Sequence, residues 1–255
     1  LKSTIANCFI PFRDSIAPSI IPKQLNNPFD TQIPTICIVA VNEVQAFVDT
    51  HQHQWKHNFG IYEAKTSPAK GKMFGVLVVR NADNELGYLC TFSGKLADET
   101  HHPRFVPSLF DIATNDHFIT KGMLALTAIG NQISMTSDEL EIAALKEERQ
   151  IKSAQLQQQL FDCYTFINQR QEPQNLCAIF STSSRGKPPA GAGECATPKL
   201  LQYAFQHRMQ PLAVAEFWWG VPSKSGDRQH GHFYPACNDK CRPILGYMLK
   251  DYLLT

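Results

Sequence analysis

The sequence predicts an α+β protein, and three observations carry that reading. Residues 71–96 read as a β-hairpin: a strongly apolar strand, Met73 to Val79, then a turn at Asn81-Ala82-Asp83-Asn84, then a returning strand, Leu86 to Phe92. Residues 118–170 contain no proline and carry a drifting apolar stripe, the pattern of a helical hairpin. From Leu176 onward, short apolar runs alternate with a helical pattern, which reads as α/β. The chain therefore divides into a β-containing N-terminal portion (1–117), a helical hairpin (118–170) and a C-terminal α/β unit (171–255).

Each element follows from its residues. Residues 1–35 hold Pro11, Pro18, Pro22, Pro28 and Pro34 with little periodicity, so they read as an extended arm over the body. Ile36 to Val41 suits a buried strand. Ile38 to Thr50 equally suits a helix with Val41, Val44, Phe47 and Val48 on one face. His101-His102-Pro103 opens a solvent-facing loop, because adjacent histidines rarely aim at one ion. The first helix of the hairpin runs to about Ile133. Ser137-Asp138-Glu139-Leu140 caps the second, which presents Lys146, Glu147, Glu148 and Arg149 to solvent. Leu176 to Thr182 reads as a strand, Ser183 to Pro189 as a turn, and Cys195 to Arg208 as a helix that tolerates Pro198 in its first turn. Pro211 to Trp219 is a strand, Ser223 to Gln229 a polar loop, and Cys241 onward a helix burying Ile244, Leu245, Met248 and Leu249.

Composition narrows the function. With 255 residues and 43% hydrophobic content the chain can build a sizeable core, and 18% charged residues argue against wholesale disorder. A net charge of +1 supplies no global attraction for nucleic acid, so any such contact needs a local patch. No apolar run approaches a membrane span. The first residues lack both a signal-peptide core and an initiator methionine, so a trimmed chain or a fragment is expected. Eight cysteines are too sparse for a disulfide scaffold. Cys8, Cys37, Cys90, Cys163 and Cys177 read as ordinary buried thiols, which favours a reducing, cytoplasmic compartment.

The chemistry concentrates in residues 187–241. Cys237 and Cys241 have zinc-type spacing, and Cys195 sits at a helix start, where the dipole and free N–H groups favour a thiolate. Zinc is thus the expected cofactor, with Cys195, Cys237, Cys241 and His232 as candidate ligands. His230 is the other histidine in reach, and Glu194 or Glu216 could hydrogen-bond a water at the metal. Packed thiols without metal, a Cys–His nucleophile and a phosphate cradle at Gly191-Ala192-Gly193 are the competing readings. Lys224 to Lys250 carries five basic and two acidic residues among Phe233, Tyr234 and two histidines, a pattern suited to RNA. Lys199, Lys224, Arg228, His230, Lys240 and Arg242 are the candidate RNA contacts.

Several stretches resemble the long N-terminal region of certain bacterial RluA-family RNA pseudouridine synthases. They are Gly71 to Val79, Leu86 to Leu89, Phe92-Ser93-Gly94, Pro188 to Ala196, Pro198 to Leu201, Ala215 to Gly220, His230 to Cys237 and Pro243 to Gly246. That resemblance implies an RNA-binding accessory region serving ribosomal or transfer RNA modification, with the isomerase catalytic domain in the parent chain as its partner. The family's catalytic Gly-Arg-Leu-Asp segment is absent here, so no uridine isomerisation is expected of this chain alone. The order of elements around Cys195, Cys237 and Cys241 also resembles the zinc-dependent deaminases, which implies a deaminase-like α/β unit for 171–255. Position 197 is Thr where that fold carries its proton-shuttling Glu, and Glu194 is then the candidate catalytic residue.

Overall fold

The computed structural model describes residues 8–62, 67–97, 99–110 and 112–250, with side chains of 112–117 left aside. Its elements run β1 (Ile10–Pro11), α1 (Thr35–His51), β2 (Lys72–Arg80), β3 (Leu86–Phe92), α2 (Ile112–Met135), α3 (Glu139–Asp162), β4 (Thr165–Ile167), β5 (Pro173–Asn175), α4 (Leu176–Ser181), α5 (Ala196–Gln206), β6 (Gln210–Trp219), β7 (Phe233–Tyr234) and α6 (Asn238–Met248). Five strands form one antiparallel sheet in the order β1-β3-β2-β6-β7, and β4 and β5 pair separately. The architecture is α+β, as the sequence predicts. Because β2 pairs with both β3 and β6, segments 1–117 and 171–255 contribute strands to one sheet.

The sheet is covered on both faces, which explains why β2 is an almost unbroken apolar run. Phe74, Val76 and Val78 point to one face, where Ile36, Cys37, Ala40, Val41, Val44 and Val48 of α1 pack. Leu77 and Val79 point to the other, against Leu200, Leu201 and Ala204 of α5 and, further out, Ile244 and Leu245 of α6. Burying each such side chain contributes about 1.5–3 kcal/mol. The arm crosses the sheet edge: β1 pairs with β3, and the Asn26 side chain exchanges two hydrogen bonds with the Val214 backbone. Residues 1–7 of the arm lie outside the described residues.

Several expectations are corrected. Residues 36–41 belong to α1, since the face that buries Val41, Val44 and Val48 has helical spacing. Residues 176–181 form helix α4, not a strand, because the Asn175 carboxamide oxygen accepts from Cys177 N–H at 2.8 Å and caps a turn. The long helix stops at Asp162; Asn168 then builds a turn, accepting from the N–H groups of Arg170 and Glu172, and so joins β4 to β5. Helix α6 begins at Asn238, so Cys241 lies inside it. His102 is buried rather than solvent-facing: its Nε2–H donates to the Leu96 carbonyl at 2.8 Å, and Trp55 and Phe92 flank the ring. Among the thiols read as buried, Cys163 is exposed and Cys177 half-buried. No described helix is long and apolar enough to cross a membrane.

Candidate metal centre

Two helix starts bring three cysteines together. Cys195 is the N-cap residue of α5 and Cys237 that of α6, with Cys241 one turn further along α6. Neither N-cap thiol is spent on capping its own helix. Helix α5 reaches this position because residue 75 is glycine: a Cβ there would lie 2.8 Å from the Ala196 Cβ. The turn into α5 needs Gly193, which holds φ +94° with the Tyr164 ring 3.0 Å from where a Cβ would stand.

The Sγ atoms of Cys195 and Cys237 are 3.9 Å apart, those of Cys237 and Cys241 3.3 Å, and all three lie within 4.8 Å of one another. A tetrahedral ion with metal–sulfur bonds of ~2.3 Å needs sulfurs about 3.8 Å apart. The three thiols therefore fit a soft divalent ion such as zinc. Their protonation is already uneven. The Cys237 thiol is driven far down, first by its Sγ contacts with Cys195 and Cys241 and then by the N–H groups of Lys240 and Cys241. Cys195 and Cys241 are driven up, the first mainly by its bond to Cys237 and the second mainly by its bond to Cys195. All eight cysteines of the chain are free thiols.

Cys195 and Cys237 border a cavity of about 410 Å³, lined also by Lys70, Lys72, Glu216, Trp218, Arg228 and Lys240. Glu216 is buried on β6. Its Oε1 accepts from the Thr197 N–H at 2.9 Å and the Thr197 hydroxyl at 2.6 Å. Burial raises its carboxyl above the ordinary range, against the pull of the two Thr197 bonds. Its Oε2 accepts no hydrogen bond among the described residues, and Glu216 is one of the residues that line the cavity.

The remaining candidates separate. Glu194 does not line the cavity, because Ser108 Oγ donates to its carboxylate at 2.8 Å and the Tyr164 hydroxyl also binds it. His232 is exposed and stands apart from the three-thiol group; its carbonyl accepts from Trp218 N–H as the chain enters β7. Lys199 is fully buried against the Phe92 ring, so its ammonium is no surface contact for RNA. Arg228 and Lys240 do line the cavity, and Lys224 and His230 occupy the loop beside it. The His230 Nδ1 accepts from Gly220 N–H. Arg242 points elsewhere, bonded to the Asn238 side chain over the Phe29 ring. Sequence reasoning passed over Lys70, Lys72 and Trp218 as site residues; only the pairing of β2 with β6 carries them to the thiols. Comparison with protein-family models, with curated proteins and with solved structures returns no match.

Proposed function

We propose that this chain is a zinc-holding, RNA-binding accessory region that serves a pseudouridine synthase catalytic domain in its parent chain. The observation that carries the reading is the cavity beside the three thiols, whose lining includes Lys70, Lys72, Arg228 and Lys240 together with Trp218, with the Arg228 guanidinium over the indole. Cations beside an aromatic face suit a phosphodiester strand with unpaired bases. Cys195, Cys237 and Cys241 hold the zinc and keep α5 and α6 in register beneath that surface. Filter retention of a ribosomal RNA fragment at low and moderate salt tests it. Retention should fall steeply with salt, and the Arg228→Ala/Lys240→Ala double variant should flatten the salt slope by about two. Salt-independent or absent retention refutes it.

A second reading, a zinc-dependent deaminase of nucleotides or nucleic acid, is favoured by one feature. Thr197 stands where that fold carries a glutamate, and Glu216 reaches across from β6 to hydrogen-bond it. In this reading the β2–β3 hairpin joins α5, β6 and α6 in a deaminase-like α/β unit. Zinc would supply Lewis-acid activation of water. Glu216 would take the water proton and hand it to the departing amine, as a C–O bond forms, a C–N bond breaks and ammonia leaves. Ammonia release from cytidine or adenosine substrates by zinc-loaded protein, lost in Glu216→Gln and kept in Glu194→Gln, is the expected result. No release from free or RNA bases overturns it.

A further inference from the structure

The cavity is polar in a graded way. Glu216 lies opposite Gly75, Trp218 opposite Met73, and Gly71 and Lys70 follow at the strand's outer end. Lys72, the first residue of β2, lies three residues from Gly75, roughly 10 Å along the strand from the Glu216 level at ~3.4 Å per residue. The inner end thus offers a carboxylate oxygen with no donor among the described residues. The wall offers an indole with the Arg228 guanidinium 5.6 Å from its centre. The outer end offers the exposed Lys70 and the half-buried Lys72.

We infer that this cavity takes a single unstacked nucleotide, its phosphate at Lys70 and Lys72 and its base turned inward so that an exocyclic amino group donates to Glu216 Oε2. The inference rests on the RNA-binding reading and names the unit of RNA that is read. A carboxylate accepts from the amino groups of cytosine and adenine, whereas the corresponding uracil position presents an acceptor and is repelled. The cations at the outer end need an anion. Lys72 is pushed down to about 8 by burial, then by Lys70, then by Lys199. Among the described residues its ammonium donates to the carbonyls of Ser93 and Lys95 and pairs with no acidic side chain. Asp239, the other acidic residue of the lining, is paired with Arg185 at 3.4 Å. The same chemistry is met by a free 5′-nucleotide or by a residue extruded from a single strand.

Titration calorimetry on the zinc-loaded full chain tests this, with cytidine, cytidine 5′-monophosphate, uridine 5′-monophosphate and short cytidine- or uridine-containing RNA strands. The expected result is at least a tenfold preference for cytidylate over uridylate and over unphosphorylated cytidine. Glu216→Gln should erase the base preference, because the amide serves either base, while Lys70→Ala, at an exposed position, should weaken only the phosphorylated ligands. Preference seen with free nucleotides identifies that source; preference seen only within strands identifies an extruded RNA residue. Equal binding of cytidine and uridine ligands, with RNA still retained, overturns this inference and leaves RNA binding standing. Loss of both nucleotide and RNA binding removes the two together. Unchanged thermal midpoints of both variants establish that they fold.

Discussion

At the residue scale, the site is decided by which oxygen or nitrogen already has a partner. Glu194 and Glu216 are both acidic and both flank the thiols in sequence or space, yet Ser108 and Tyr164 occupy the first while the second has one oxygen without a hydrogen bond among the described residues. Sequence alone could not rank them, because Ser108 and Tyr164 are distant in the chain and carry no motif. Lys199 is the sharper surprise: a lysine buried to 0% exposure, whose i, i+4 helical neighbours Cys195 and Tyr203 gave no warning. Burial lowers its ammonium from 10.5 to about 8, with Glu194 and Cys195 pulling the other way. A lysine depressed in this way costs stability in full below pH about 8. The cost is relieved as pH rises from about 8 toward the unfolded value near 10.5, where the unfolded chain binds more protons than the folded one. Lys199→Met in metal-free protein should therefore raise stability at pH 7 by on the order of 3 kcal/mol and abolish the rise between pH 8 and 10. Urea unfolding at three pH values checks it; a destabilised variant with an unchanged slope would show that the ammonium is well compensated.

At the element scale, the strands and helices with strong periodicity were legible and the short buried runs were not. The β2–β3 hairpin and helix α5 fall where their patterns put them, because each has enough residues for a period to show. Helix α4 has six residues, too few to tell a buried helix turn from a strand, and its decisive feature is the Asn175 cap. The helical pair α2–α3 was expected, although it begins at Ile112 and ends at Asp162 rather than running over 118–170, and its far end is exposed at Met135 and Leu140. Its base does the packing, with Phe161 buried and Phe118, Ile119 and Leu160 against the same core. Replacing 131–148 by a short turn should leave metal content unchanged and lower stability by less than about 2 kcal/mol, since no side chain in that span is buried. Gly75→Val should do the opposite. Its Cβ would meet Ala196 and Leu200, forcing α5 off the sheet at a cost of about 1–3 kcal/mol and moving Cys195 away from its partners. Metal stoichiometry measured beside unfolding midpoints separates the two: a Gly75→Val protein with full metal content would mean the thiols converge without that close approach.

At the scale of the whole molecule, the metal centre depends on a topology that no local pattern announced. Cys195 and Cys237 are separated by 42 residues and meet because α5 and α6 start at the same end of the sheet. The spacing of Cys237 and Cys241 and the place of Cys195 at a helix start could be read from the sequence, but that the three meet follows only from the way β6 returns the chain between α5 and α6. The cavity required more, since Lys70 and Lys72 reach the thiols only through the β2–β6 pairing. Zinc bound to the three thiols would tie α5 to α6 in the folded state and have no comparable site in the unfolded chain. At a free concentration one hundred times Kd it should stabilise by about 2.7 kcal/mol, which for a chain of this size raises Tm by about 5–10 °C. Chelation should remove the rise, and Cys241→Ser should prevent it, while Cys163→Ser, at an exposed position outside the cluster, should not. Because binding requires thiolates, the rise should shrink as pH falls from 7.5 to 5.5. Calorimetric scans with and without chelator, beside elemental analysis, decide the matter: a Tm indifferent to chelator, in protein that purifies without metal, would reduce the three cysteines to packed thiols and remove the zinc from both functional readings.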